Sequence, residues 1–192
     1  MATRPRRADA QRNHDLLLAA AAQVFAERGT DAPLDEVARR AGVGNATMYR
    51  HFPTRSDLLV AVYADEVARL CARGQTLLGA ESPADALHEW LRLFMAHITA
   101  KRDLALAATD GQGTDLVAEW HQSMLTTASA LLDAAKQTHA VRADLDVRDL
   151  LALIKGIALT AADAAQAERL LTLIDWRSGT SAHPPPAAGA GQ

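Results

Sequence analysis

Apolar positions recur every three or four residues over most of this chain, and the places where that rhythm stops divide it into elements. Leu16, Leu17, Ala20, Val24 and Phe25 share one face of a helix predicted over residues 9–28, and Gly29 stands where its C-terminal cap belongs. A second, shorter stripe of Leu34, Val37, Ala38 and Ala41 lies in PLDEVARRA. There Pro33 suits a first helical turn, and Asp35 and Glu36 suit the positive end of the helix dipole. Gly42-Val43-Gly44 ends this helix, because glycine admits the left-handed backbone of a sharp turn, and Val43 is expected to plug into the core. A third helix is predicted from Asn45 to His51, stopping at Phe52 because a residue before proline is pushed out of the helical region. A fourth, capped by Thr54 or Ser56, carries Leu58, Leu59, Val62 and Tyr63 and runs to about Arg73, where Gly74, Gly79 and Ser82-Pro83 mark a break. Further helices are predicted over 84–100, 103–108, 115–138, 147–164 and 165–176, about nine in all.

Composition agrees with an all-α chain. Alanine and leucine dominate, aromatic residues make up 4%, and runs of β-branched residues are rare. With 49% hydrophobic residues in 192, a substantial core is expected. The lone cysteine, Cys71, cannot staple the fold, which suits a reducing compartment. The amino end is polar with no apolar leader segment, and charges interrupt every apolar stretch before it reaches membrane-spanning length. A soluble, cytoplasmic protein is therefore expected, with no membrane partner.

Charge is unevenly placed. Residues 1–55 hold nine arginines against six acids, whereas the remainder holds eleven basic residues against seventeen acids. A basic amino end on an acidic body suits a chain that meets a polyanion at one end only. Residues 1–8 (MATRPRRA) read as a basic flexible arm whose Arg4, Arg6 and Arg7 can reach such a polyanion or merely solubilise the chain. The Pro/Gly/Ala-rich tail over 178–192 has no core-forming pattern and is expected to be disordered.

The stretch AGVGNATMYRHF carries the chemistry. Two short helices joined by a tight glycine turn, with a third helix in front, make a helix-turn-helix unit whose second helix enters the DNA major groove. Met48 and Phe52, four apart, are expected to pack inward with Val43, leaving Asn45, Ala46, Thr47, Tyr49 and Arg50 on or near the outer face. Asn can contact adenine, Arg can contact guanine, and Thr or Ala can touch a thymine methyl. A Tyr hydroxyl and a His ring nitrogen, here Tyr49 and His51, can donate to phosphate oxygens.

From about Arg12 to Tyr63 the chain resembles the DNA-binding domain of the TetR family of transcriptional regulators, through VFAERG, LDEVARRAGVG, TMYRHFPTRSDLL and AVY in order. The resemblance implies a recognition helix over Asn45 to His51, phosphate contacts by Tyr49 and His51, Thr47 at the groove, and Arg55 on backbone phosphate. Ala46 stands where the family usually has glycine, and Asn45 where it often has lysine or an apolar residue. It further implies a helix-turn-helix domain over 9–53, then a helical regulatory and dimerisation domain over 54–177 whose last two long helices pair two copies. Function follows as an expectation: a homodimeric repressor on a palindromic DNA operator, released by an unidentified small-molecule effector.

Leu87, Trp90, Leu91, Phe94, His97 and Ile98 share a helical face, and Trp120, His121 and Met124 add bulk from another. They make core, or the lining of an apolar ligand cavity for which Trp90, Phe94, His97, Trp120, His121 and Met124 are the candidates. The Asp110–Thr114 loop between them can gate entry or simply connect. Asp149, Leu150, Leu153, Ile157 and Ala161, then Leu170, Leu171, Leu173 and Ile174, make stripes that serve the core or a dimer face. His88-Glu89 lacks the second histidine of a zinc helix motif, Cys71 has no neighbouring ligand, and no serine sits in a nucleophile elbow. No catalytic residue, metal or cofactor is expected. Two other readings stay open: a DNA-binding regulator that responds to no ligand, and a helical small-molecule-binding protein without DNA binding.

Overall fold

The computed structural model describes residues 4–109, 114–174 and 176, with side chains for 8–99, 116–174 and 176. These residues form eight α-helices and no strand. They are α1 (Arg4–Arg28), α2 (Leu34–Ala41), α3 (Asn45–His51), α4 (Arg55–Leu77), α5 (Pro83–Thr109), α6 (Thr114–Gln137), α7 (Val147–Thr160) and α8 (Ala164–Thr172).

Local chemistry sets most of the boundaries. Gly29 closes α1 with φ 81°, its N–H donating to Phe25 O at 3.0 Å. Thr54 and Asp57 form a reciprocal capping box at the start of α4, so Thr54 and not Ser56 is the cap. Asp146 caps α7 through the N–H groups of Arg148 and Asp149.

Five expectations are corrected. The first helix begins at Arg4, so α1 already includes residues 4–8 of the expected arm. Leu16 lies outside the buried face of α1, 41% exposed, while Leu17, Ala21 and Val24 are buried. The helices expected over 84–100 and 103–108 are one helix, α5, for no glycine or proline interrupts the chain between Pro83 and Thr109. This is why eight helices stand where nine are expected. Helix α7 stops at Thr160: Ala161 is extended at ψ 138°, and Asp163 caps a new helix by accepting from Gln166 N at 2.7 Å. Finally, Gly74 does not break α4. It is buried inside the helix, and a Cβ there would lie 2.8 Å from Trp90 Nε1 and closer still to Thr127 Cγ2. Gly74 is small because two helices cross on it. Apart from Thr114, which opens α6, the expected gating loop lies outside the described residues, as does the 178–192 tail.

One continuous apolar core runs from Leu17 to Trp176. Burying a leucine fully stabilises a fold by about 1.5–3 kcal/mol, and Leu17, Leu58, Leu87, Leu91, Leu131 and Leu171 are each at most 1% exposed. Helix α4 packs against α1 and also against α5 and α6, so it belongs to both halves of the chain. Beyond α8, Trp176 returns to the body: its carbonyl accepts from Arg142 N at 3.1 Å and its ring stacks on His88 at 5.7 Å.

Candidate nucleic-acid interface

Helices α2 and α3 meet at a turn built on one left-handed residue. Gly42 has φ 67° and ψ 25°, and Val43 N donates back to Ala38 O at 3.0 Å. Gly44 is different. Its φ of −67° and ψ of 145° are open to any residue, and a Cβ there would meet nothing within 4 Å. Only the first glycine is demanded by the backbone.

The turn sets the two faces of α3. Met48 is wholly buried and Phe52 is 4% exposed, with Val43 packed against the same core. Asn45, Ala46, Tyr49 and Arg50 are exposed, and Thr47 is half-buried. Positions 45, 46, 49 and 50 lie on one side of a helix, four residues apart in pairs, so the exposed set is a single stripe. The outward face expected from the sequence is therefore present, with Thr47 at its edge.

Behind this stripe the supporting helices are tied together. Arg40 of α2 grips Glu27 of α1 with Nη1 and Nη2, each bond 2.7 Å, and this holds the Glu27 carboxyl below its usual range. Beside the stripe, Asn45 Nδ2 donates to Asp35 Oδ1 of α2 at 3.1 Å.

Two residues expected at phosphates are engaged within the protein itself. His51 turns inward: Nε2 is buried without a hydrogen-bond partner, and its ring lies edge-on to His14 of α1 at 6.1 Å. Burial, then the neighbouring His14 and Arg50 charges, hold its pKa below the ordinary 6.5. Arg55 is also engaged. Its Nη1 donates to Thr30 O at 2.6 Å and Ala32 O at 2.8 Å, so this nitrogen braces the α1–α2 loop. The partners involved, His14, Thr30, Ala32 and Asp35, were not marked for these roles by the local pattern.

In the helical body, Trp90, Phe94, Trp120 and Met124 are buried together in the core, whereas His121 is exposed on α6. Trp90 stacks on Phe94 at 5.4 Å, and its Nε1 donates to Leu70 O of α4 at 3.1 Å. Tyr63 of α4 joins the group, 4.7 Å from the Trp120 ring and 5.4 Å from His97. Burial raises the pKa of the Tyr63 phenol. His97 also edges an open groove of about 320 Å³ between α4 and α5, with Leu70, Leu93, Arg69 and Arg73. Among the described residues no group of three or more His, Cys, Asp or Glu is placed to hold a metal ion, and no helix is long and apolar enough to cross a membrane.

A short supporting helix, a left-handed glycine turn and a second helix with one buried and one polar face define a helix-turn-helix DNA-binding regulator. Residues 17–62 match the family model described as bacterial regulatory proteins, tetR family, and residues 82–175 match that of the SbtR-like transcriptional regulator C-terminal domain. The chain belongs to the TetR family of transcriptional regulators. It is similar to the TetR transcriptional regulator SCO0520 of Streptomyces coelicolor, a crystal structure, at 43% identity and a TM-score of 0.76 over 86% of this chain and 99% of that one. The HTH-type transcriptional repressor Rv3405c of Mycobacterium tuberculosis is 33% identical over 74% of this chain and 67% of its own length. The HTH-type transcriptional activator FasR of Mycolicibacterium smegmatis is 44% identical over 55 residues, 28% of this chain and a quarter (25%) of its own length. The family comprises regulators, not enzymes.

Proposed function

We propose that the protein is a cytoplasmic homodimeric repressor that binds a palindromic operator and is released from it by a small apolar effector. The observation that carries this reading is the exposed stripe of Asn45, Ala46, Tyr49 and Arg50 over the buried Met48 and Phe52. One such helix spans only a few base pairs. Two related by a two-fold axis read half-sites about one helical turn apart. Support for the dimer comes from α7, where Leu153 (47% exposed), Leu159 (44%) and the open Gly156 form an uncovered face, and from Leu173 after α8, 77% exposed.

Helix α4 is the lever in this reading. Arg55 fastens its first turn to the α1–α2 loop, while Tyr63 packs against His97 and Trp120. An effector that displaces the aromatic group moves α4, and the recognition helices leave register. This requires that the effector bind the DNA-free state more tightly than the DNA-bound one. A coupling of about 3 kcal/mol weakens operator binding on the order of a hundredfold.

A second reading has one observation in its favour. Trp90 is wholly buried, stacked on Phe94 and seated against Gly74, as in a core filled by its own side chains that answers to no ligand. One experiment separates the two. Full-length protein selects DNA from a random pool at moderate salt, and the recovered palindrome is then used to screen apolar compounds for release. A palindrome with releasing compounds supports the main reading. A palindrome with none supports the second. Sequence-blind, salt-sensitive retention counts against both.

A further inference from the structure

We propose that Asp35 is a positioning residue for base recognition: it fixes the amide of Asn45 so that Oδ1, an acceptor, is what α3 presents to an exocyclic amino group of adenine or cytosine. The inference rests on the DNA-binding reading of α3 above.

The chemistry is decided by Asp35. An asparagine amide has a donating end and an accepting end, and an unrestrained amide can turn either toward a base edge. An ionised carboxylate only accepts, so the 3.1 Å contact to Asp35 Oδ1 must be made by Nδ2 of Asn45. Oδ1 is left to accept, and the second Nδ2 hydrogen beside it can at the same time reach adenine N7. Both residues are exposed, so the pair is open to a groove edge. The adenine N6 and cytosine N4 amino groups are the donors that a base pair offers in the major groove. Guanine O6 and N7 and thymine O4 offer no hydrogen there, and an amide held this way gains nothing from them through Oδ1. Asp35 itself brings a negative charge near the phosphates. It therefore weakens binding to any DNA while sharpening the choice of base.

The test compares full-length wild type, Asp35→Ala, Asp35→Asn and Asn45→Ala, each by random-pool selection and by competition binding. Asp35→Asn keeps the size of the side chain but restores an amide that can donate or accept. At one position per half-site, the preference erased by Asn45→Ala is expected to fall about tenfold in both Asp35 variants, with the other positions unchanged. Replacing the base at that position by an analogue lacking its exocyclic amino group is expected to weaken wild type about tenfold and to leave Asn45→Ala unmoved. Binding to unrelated DNA should rise in Asp35→Ala. If Asp35 only stabilises α2, all positions weaken together, and the inference is overturned. It is overturned alone if wild type selects a motif that the Asp35 variants share. A wild type that selects no motif overturns the DNA reading and this inference with it.

Discussion

Arg55 donates from Nη1 to the carbonyl of Thr30 at 2.6 Å, and the same nitrogen reaches Ala32 O at 2.8 Å. The first residue of α4 thus closes the loop between α1 and α2, and the helix-turn-helix unit is fastened to the helix that enters the body. Arg55→Met should leave both carbonyls without this donor and lower stability by about 1–3 kcal/mol, read as a lower urea midpoint. The salt dependence of DNA binding should stay as in wild type. A slope reduced by about one would mean that Arg55 neutralises a phosphate after all.

Two glycines should respond in opposite ways to the same substitution. Gly74→Ala drives a methyl group into Trp90 and Thr127 and should cost about 1–3 kcal/mol in denaturant melts. Gly156→Ala meets nothing within 4 Å in the protomer and should gain up to about 1 kcal/mol from helix propensity. If the second copy packs on this face, Gly156→Ala should at the same time weaken the dimer in sedimentation equilibrium.

Leu153 provides a direct test of the dimer. It is 47% exposed on α7 and can be changed without opening the protomer core. Leu153→Glu should give a folded monomer with an unchanged helical circular dichroism spectrum. Operator affinity should drop by at least tenfold, because two linked half-sites become one.

Acid should destabilise the protein in two stages. His51 has a native pKa below 6.5, so the unfolded chain takes up a proton more readily than the folded one. Its contribution is complete above about pH 6.5 and is lost as pH falls from there toward the native value. Glu27 and Asp144 are held low by Arg40 and Arg142 respectively, so their contributions vanish only below the ordinary carboxylate range. Thermal melts across pH should show both limbs. His51→Gln should flatten the upper limb and leave the lower one; an unaltered upper limb would assign it to another histidine.

Much of the DNA-binding half is legible along the chain. The bounds of α2 and α3, a glycine turn between them, a cap at Thr54 or Ser56 and the inward Met48 and Phe52 follow from periodicity, capping chemistry and the proline at 53. All of these act within a turn or two of the residue concerned. Helix ends in the body were less legible, because a polar run such as Lys101-Arg102-Asp103 continues a helix as readily as it ends one.

What the sequence by itself determined is thus the all-α class, the helix-turn-helix and the outward stripe of α3, since each is set by neighbours three or four residues away. Tertiary structure alone decided the uses of His51, Arg55, Gly74 and Asn45. His51 meets His14 on α1, Arg55 meets carbonyls 23 and 25 residues back, Gly74 lies beneath Trp90 and Thr127, and Asn45 bonds to Asp35 ten residues away. A side chain's donors, bulk and charge are fixed by its residue type. Whether they face DNA, a carbonyl or another ring depends on which distant segment folds against it.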